Sequence, residues 1–173
     1  MKILNVNRVF STPFLNIDLA EIKTTTGNII EHFIIDPIHN SVVAVVLKGD
    51  KVILVQTKKF LWDKKSWELP GGRIKEGEIA LSAIRRKVEE ETGFEVTNIR
   101  RLGSTFSNLS LSKKEKFYFF VEVGNKKFEH NENIIEKVSL FSLEQIKNLI
   151  NRGMILDEKS LTGLILAEKR GFL

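Results

Sequence analysis

The chain contains no cysteine among its 173 residues, and it has only 3 prolines, 2 tryptophans, 2 methionines and 1 tyrosine. Without cysteine there are no disulfides, thiolate nucleophiles or zinc knuckles, and a reducing cytoplasm is the expected setting. The longest unbroken apolar run is Val42 to Leu47, far short of the roughly 18 residues that span a bilayer. Lys2, Asn5, Asn7 and Arg8 interrupt Met1 to Phe10, so no secretory apolar region shows there. Neither charge nor proline content is high enough for disorder. What is present is 42% hydrophobic residues and 28% charged ones, the make-up of a globular domain with a core.

The charge is unevenly placed. Lysine and arginine number 27 against 22 aspartates and glutamates, a formal +5. Residues 57–76 carry +3 and residues 96–128 carry +5, while residues 77–95 between them carry −2. An acidic segment flanked by basic ones suits carboxylates that hold a cation beside groups that hold phosphates. It is equally the pattern of scattered surface charge.

Hydrophobic periodicity predicts strands at Phe14–Lys23 and Asn28–Ile35 around a turn at Thr24–Gly27. It predicts further strands at Ser41–Lys48 and Lys51–Thr57, joined by Gly49-Asp50. Residues 58–77, with Pro70-Gly71-Gly72, read as a long loop. A helix is expected over Ile79–Thr92, with Gly93 at its C-terminal cap. Strands follow at Ile99–Phe106, Lys116–Val123 and Ile135–Leu140, with a polar loop at Gly124–Asn133. Ser142 and Gln145 form a capping box for a helix to Asn151, and Asp157 caps a last helix with Leu161, Leu164 and Ile165 on one side. The expectation is an α+β fold with an N-terminal β arm over residues 1–40 and a main domain over residues 41–173.

At 100° per residue, Ala80, Leu81, Ala83, Ile84 and Val88 share an apolar stripe of the 79–92 helix. Lys87 and Glu91 fall inside that stripe and Glu90 beside it. Charges there either pair with one another or border a cleft where carboxylates hold Mg²⁺.

The surrounding spacing decides between these. Gly72, five intervening residues, Glu78, seven intervening residues, Arg86, then Glu90, Glu91 and Gly93, with Val88 and Phe94 apolar, resembles the Nudix box. Six of its seven fixed positions match, and Lys87 stands where the family has a metal-binding Glu. A protonated lysine has donors only and cannot ligate a metal. Three outcomes stay open: one retained metal, a rearranged catalytic set, or a domain that binds without cleaving.

The N-terminal arm, Trp67-Glu68-Leu69-Pro70-Gly71-Gly72, and the segment from Ile134 to Leu166 look like the ADP-ribose pyrophosphatase branch. The resemblance implies the Nudix fold, an α/β/α sandwich around a mixed sheet. It also implies cleavage of a nucleoside diphosphate sugar to a nucleoside monophosphate and a sugar phosphate. Mg²⁺ or Mn²⁺ is the implied cofactor, with Glu90, Glu91 and the Gly71 carbonyl as ligands. Gly72, Glu78, Arg86 and Gly93 support the box. The implied general base comes from the 124–133 loop, with Glu132 preferred over Glu129 and His130. Lys58, Lys59 and Arg73 are candidates for phosphate, and Phe33, Phe14 or His32 for the base. Many such proteins are homodimers that exchange the arm. No membrane partner is expected. Nucleic acid is not the favoured partner either, because the sequence shows no basic–aromatic interleaving of the single-strand type.

Overall fold

The computed structural model describes residues 1–127, 129–130 and 135–173. The chain divides into two compact units, one formed by residues 1–40 and 105–116, the other by residues 41–104 and 117–173.

The first unit is an antiparallel meander of β1 (Lys2–Ser11), β2 (Leu15–Lys23) and β3 (Ile29–Pro37). Gly27 turns the second hairpin with a φ of 90°, a value L-side chains rarely adopt. On this sheet Arg8 reaches Asp18 at 2.6 Å and Asp36 at 3.2 Å, which neutralises the buried Asp18. The 105–116 segment joins through Ile35, whose N–H donates to the Leu111 carbonyl at 2.7 Å. The Lys113 N–H in turn donates to the Ile35 carbonyl at 3.1 Å.

The second unit is built on a seven-stranded sheet. Its strands are β4 (Ser41–Lys48), β5 (Lys51–Lys59), β6 (Lys64–Glu68), β7 (Gly71–Arg73), β8 (Phe94–Phe106), β9 (Glu115–Lys126) and β10 (Lys137–Phe141). The main path is β10-β5-β4-β9-β8, with β6 on β5 and β7 on β4. Successive strand residues face opposite sides, so the continuous Val and Ile runs of β4 and β5 supply two cores. Val42, Ala44, Val46 and Ile53 pack with Ala83, Ile84 and Val88 of α1 (Ala80–Thr92). Val43, Val45, Val52 and Leu54 pack on the other side with Ile146 of α2 (Leu143–Asn151) and Leu164 of α3 (Glu158–Lys169). The α/β/α sandwich expected from the sequence is the observed fold.

Several local expectations change. The 58–77 stretch read as loop contains β6 and β7, and the N-terminal residues form β1. Leu81 is 49% exposed and Ile165 is 55% exposed, so neither lies on the core face assigned to it. Among the described residues, no helix is long and apolar enough to cross a membrane.

Candidate active site

Strand β7 and helix α1 bring the box together. A Cβ on Gly71 would run into the Val42 carbonyl, so only glycine lets β7 lie this close to β4. One residue on, a Cβ at Gly72 would stand 2.7 Å from Cε of Lys87. The bare backbone of Gly72 is thus the floor on which the Lys87 stem lies. At the far end of α1, Gly93 adopts a φ of 77° and its N–H donates to the Glu89 carbonyl at 3.0 Å, closing the helix.

Glu78, Arg86 and Glu90 form a chain of charge. Arg86 donates from Nε and Nη2 to the two Glu78 oxygens, each at 2.8 Å, and from Nη1 to Glu90 at 3.1 Å. Its Nη2 also donates to the Arg73 carbonyl at 3.3 Å. The Arg86 guanidinium first, and the Lys75 amide second, hold the Glu78 carboxyl down to about 2. Glu78 and Arg86 are therefore fixed by each other, which ties the 74–79 loop to the helix.

Glu91 lies deeper, with its side chain 11% exposed. One oxygen accepts the Gly71 N–H at 3.0 Å; the other stands 3.6 Å from Nζ of Lys87. Burial pushes its carboxyl up, against the pull of the Gly71 amide and of Lys87 and Lys159. Glu90 is more open, and its Oε2 is 3.2 Å from Nζ of Lys87. Burial opposes ionisation there too, but Lys87 and Arg86 outweigh it and the carboxyl lies below its usual range.

These residues do not fit the divalent cage that the resemblance implies. Mg²⁺ asks for six oxygens in near-octahedral array, and among the described residues no group of three or more His, Cys, Asp or Glu is placed to hold a metal. Glu78 is committed to Arg86, and an ammonium already stands against both Glu90 and Glu91.

Lys59 is 2.6 Å from the buried Glu68, and Lys58 is 2.7 Å from Asp63. Phe33 sits on β3 of the first unit, 55% exposed. In the same unit His32 is hydrogen-bonded through Nε2 to the Ser110 carbonyl. Glu129 lines a groove of about 760 Å³ together with Arg85, Arg86, Glu89 and Glu90. Nδ1 of His130 is buried with no hydrogen-bond partner among the described residues. Glu132 lies outside the described residues.

One cluster escaped the sequence reading. Glu68, on the strand leading to the box, accepts from Lys59, from Lys159 at 3.0 Å and from Thr57 at 3.0 Å. Burial pushes Glu68 up, but the two lysines outweigh it and hold it below its usual value. Beside it, the Leu69 N–H donates to Ser160 Oγ at 2.8 Å. No spacing links residues some ninety positions apart, so only the fold reveals this anchor.

A carboxylate-bearing loop and helix on an α/β/α sandwich define the class. A model of the NUDIX domain matches residues 37–160, and the chain belongs to that family. Over 164 residues it is 22% identical to an ADP-ribose pyrophosphatase of Bacillus subtilis, covering 92% of this chain and 88% of the relative. It is 28% identical over 94 residues to a CMP-5'-(N-acetyl-N-hydroxy-3-aminopropyl)phosphonate hydrolase of Streptomyces rubellomurinus, covering 54% of this chain. That match spans 46% of the relative's own length. A solved structure of an ADP compounds hydrolase superposes with a TM-score of 0.85 at 17% identity, covering 99% of this chain and 96% of that one. At that identity the likeness shows the fold.

Proposed function

We propose that the chain hydrolyses the pyrophosphate of a nucleoside diphosphate derivative, ADP-ribose or a related nucleotide sugar, to a nucleoside monophosphate and a sugar phosphate. The observation that carries this reading is the Glu78–Arg86–Glu90 chain beside Glu91 at the junction of β7 and α1. Water adds at one phosphorus, the bridging oxygen leaves with the other phosphate, and the water's proton passes to a base. In our reading that base is Glu132, with Glu129 and His130 as the alternatives. Arg86 positions Glu78 and Glu90 and is not itself free to bind phosphate. Lys58 and Lys59 reach a phosphate only by leaving Asp63 and Glu68; Arg73, the third cation in this reading, ends β7. Use of Mg²⁺ or Mn²⁺ requires Glu90 and Glu91 to be released from Lys87, with the Gly71 carbonyl as the backbone ligand.

The exposed β1 and the aromatic rings of Phe10, Phe14 and Phe33, each at least 51% exposed, support a homodimer through the N-terminal arm, with Phe33 available to a base. A second reading, a domain that binds a nucleotide without cleaving it, is favoured by one observation, the Lys87 ammonium among the carboxylates. Incubation with ADP-ribose, other nucleotide sugars, dinucleoside polyphosphates and NADH, with product masses identified, separates the two. Turnover of a nucleotide sugar supports the first reading. Tight binding with no turnover of any of them supports the second.

A further inference from the structure

We propose that the tip of the β5–β6 hairpin is a membrane-contact element: Phe60, Leu61 and Trp62 enter an anionic lipid surface, and the lysines beneath them meet its headgroups. This contact stands apart from the proposed hydrolysis.

Three observations carry it. The tip presents three large apolar side chains in a row, with Phe60 86% exposed and Leu61 and Trp62 each 69% exposed. Contiguous apolar surface of this kind marks a place of contact with a protein or a membrane. The turn that carries it is held, because the Trp62 N–H donates to the Lys59 carbonyl at 3.1 Å and Lys58 reaches Asp63 at 2.7 Å. Below the tip, the antiparallel register sets Lys59 opposite Lys64 and Lys58 opposite Lys65. Like charges directly opposite one another destabilise a strand pair, so neither the exposed apolar tip nor the facing lysines help the hairpin to fold. Local rules are broken in this way at functional sites.

The order of the chemistry along the hairpin selects the partner. An acidic protein surface would use the lysines and leave the apolar tip in water. An apolar groove would use the tip and strip water from the lysines at a cost. A bilayer with anionic headgroups takes both in turn. The apolar side chains pass the headgroups, Trp62 settles at the interface, and lysines one and two residues back, at about 3.3 Å per residue, lie level with the phosphates. Lys59 is drawn inward to Glu68, which leaves Lys58, Lys64 and Lys65, all exposed, as the cationic collar. Lys58 and Lys65 pair with Asp63 and Glu136, but exposed pairs are weak and exchange readily for a headgroup. The lack of a spanning segment argues only against crossing the bilayer; contact at its surface needs none.

The test uses the full chain with vesicles of phosphatidylcholine alone, or of phosphatidylcholine and phosphatidylserine in equal parts. Of the chain's two tryptophans, Trp67 is 8% exposed, so a change of emission on adding vesicles reports Trp62. Anionic vesicles should shift that emission to the blue, and lipids brominated in the acyl chain should quench it. Co-sedimentation with anionic vesicles should fall about 10-fold in Leu61→Ser and about 5-fold in Lys64→Gln. Both side chains are exposed, so neither substitution disturbs the core. No binding to anionic vesicles, or equal binding to the two compositions, overturns the proposal. Binding unchanged in both variants overturns it too, because other parts of the chain then hold the lipid. If Trp62 is shielded without lipid, and ultracentrifugation shows self-association that Leu61→Ser abolishes, the tip is a contact between copies and the proposal falls.

Discussion

Oε1 of Glu91 stands 3.6 Å from Nζ of Lys87, while the other oxygen of the same carboxylate accepts the Gly71 N–H at 3.0 Å. A box that departs from the family pattern at one fixed position is thereby closed on itself: the helix carboxylate is stitched to the strand on one side and to a lysine one turn back on the other. Lys87→Glu restores the seventh fixed position of the box. It should raise Mn²⁺ affinity and, with a nucleotide sugar as substrate, raise turnover, as read by calorimetry and product analysis. Lower turnover in Lys87→Glu would show that the lysine has been recruited into the chemistry.

Glu78 sets an acid limit on the site. Its carboxyl is lowered from an ordinary 4.5 to about 2, chiefly by Arg86. Between those values the unfolded chain binds a proton that the native one does not, so stability falls as pH falls through this window. The contribution is present above about 4.5 and lost towards about 2. Thermal unfolding followed from pH 5 to pH 2, roughly the window of this shift, should show a steeper decline in the wild type than in Glu78→Gln.

The anchor behind the box is equally exposed to test. Lys159 is 3.0 Å from Glu68, which is 3% exposed. Lys159→Met leaves that buried carboxylate with Lys59 as its remaining cation. Removing one partner of a buried pair typically costs about 3–5 kcal/mol, and the surviving Lys59 places the expected loss near the lower end, about 3 kcal/mol. Urea unfolding reads it directly.

Gly163 shows how tightly α3 lies on the strand leading to the site. A Cβ there would stand 2.6 Å from Cδ1 of Leu69 and 3.4 Å from Cδ1 of Tyr118, both side chains being buried. Alanine is the better helix former by about 1 kcal/mol, yet overpacking of a filled core costs about 1–3 kcal/mol. Gly163→Ala should therefore lower the unfolding midpoint in urea, despite its favourable helix propensity.

Much of this was legible in the sequence because the signals were local. The α1 helix, its Gly93 cap, the Ser142–Gln145 capping box and the Asp157 cap each depend on residues a few positions apart, and all are present. Strand β6 was hidden because Lys64-Lys65-Ser66-Trp67-Glu68 has no strand-like alternation of apolar residues. Its buried Ser66 and Glu68 are satisfied by Leu156 and Lys159, which are distant in sequence. Strand β7 is two glycines and an arginine, with no propensity of its own, held by pairing to β4. Spacing alone made Glu78, Arg86, Glu90 and Glu91 the candidates that the fold brings together at the β7–α1 junction, and the mismatch at Lys87 was visible as a letter. That its stem would lie on Gly72, with its ammonium against both carboxylates, required the packed structure.

The central claim is hydrolysis of a nucleoside diphosphate derivative at the β7–α1 junction. Its most direct test is incubation of ADP-ribose with the wild type and with Glu90→Gln, in Mg²⁺ and in Mn²⁺, with products identified by mass. The account predicts AMP and ribose phosphate from the wild type and at least about 100-fold less from Glu90→Gln. Equal product from both proteins, or no cleavage of ADP-ribose or any other nucleotide sugar by the wild type, would contradict it.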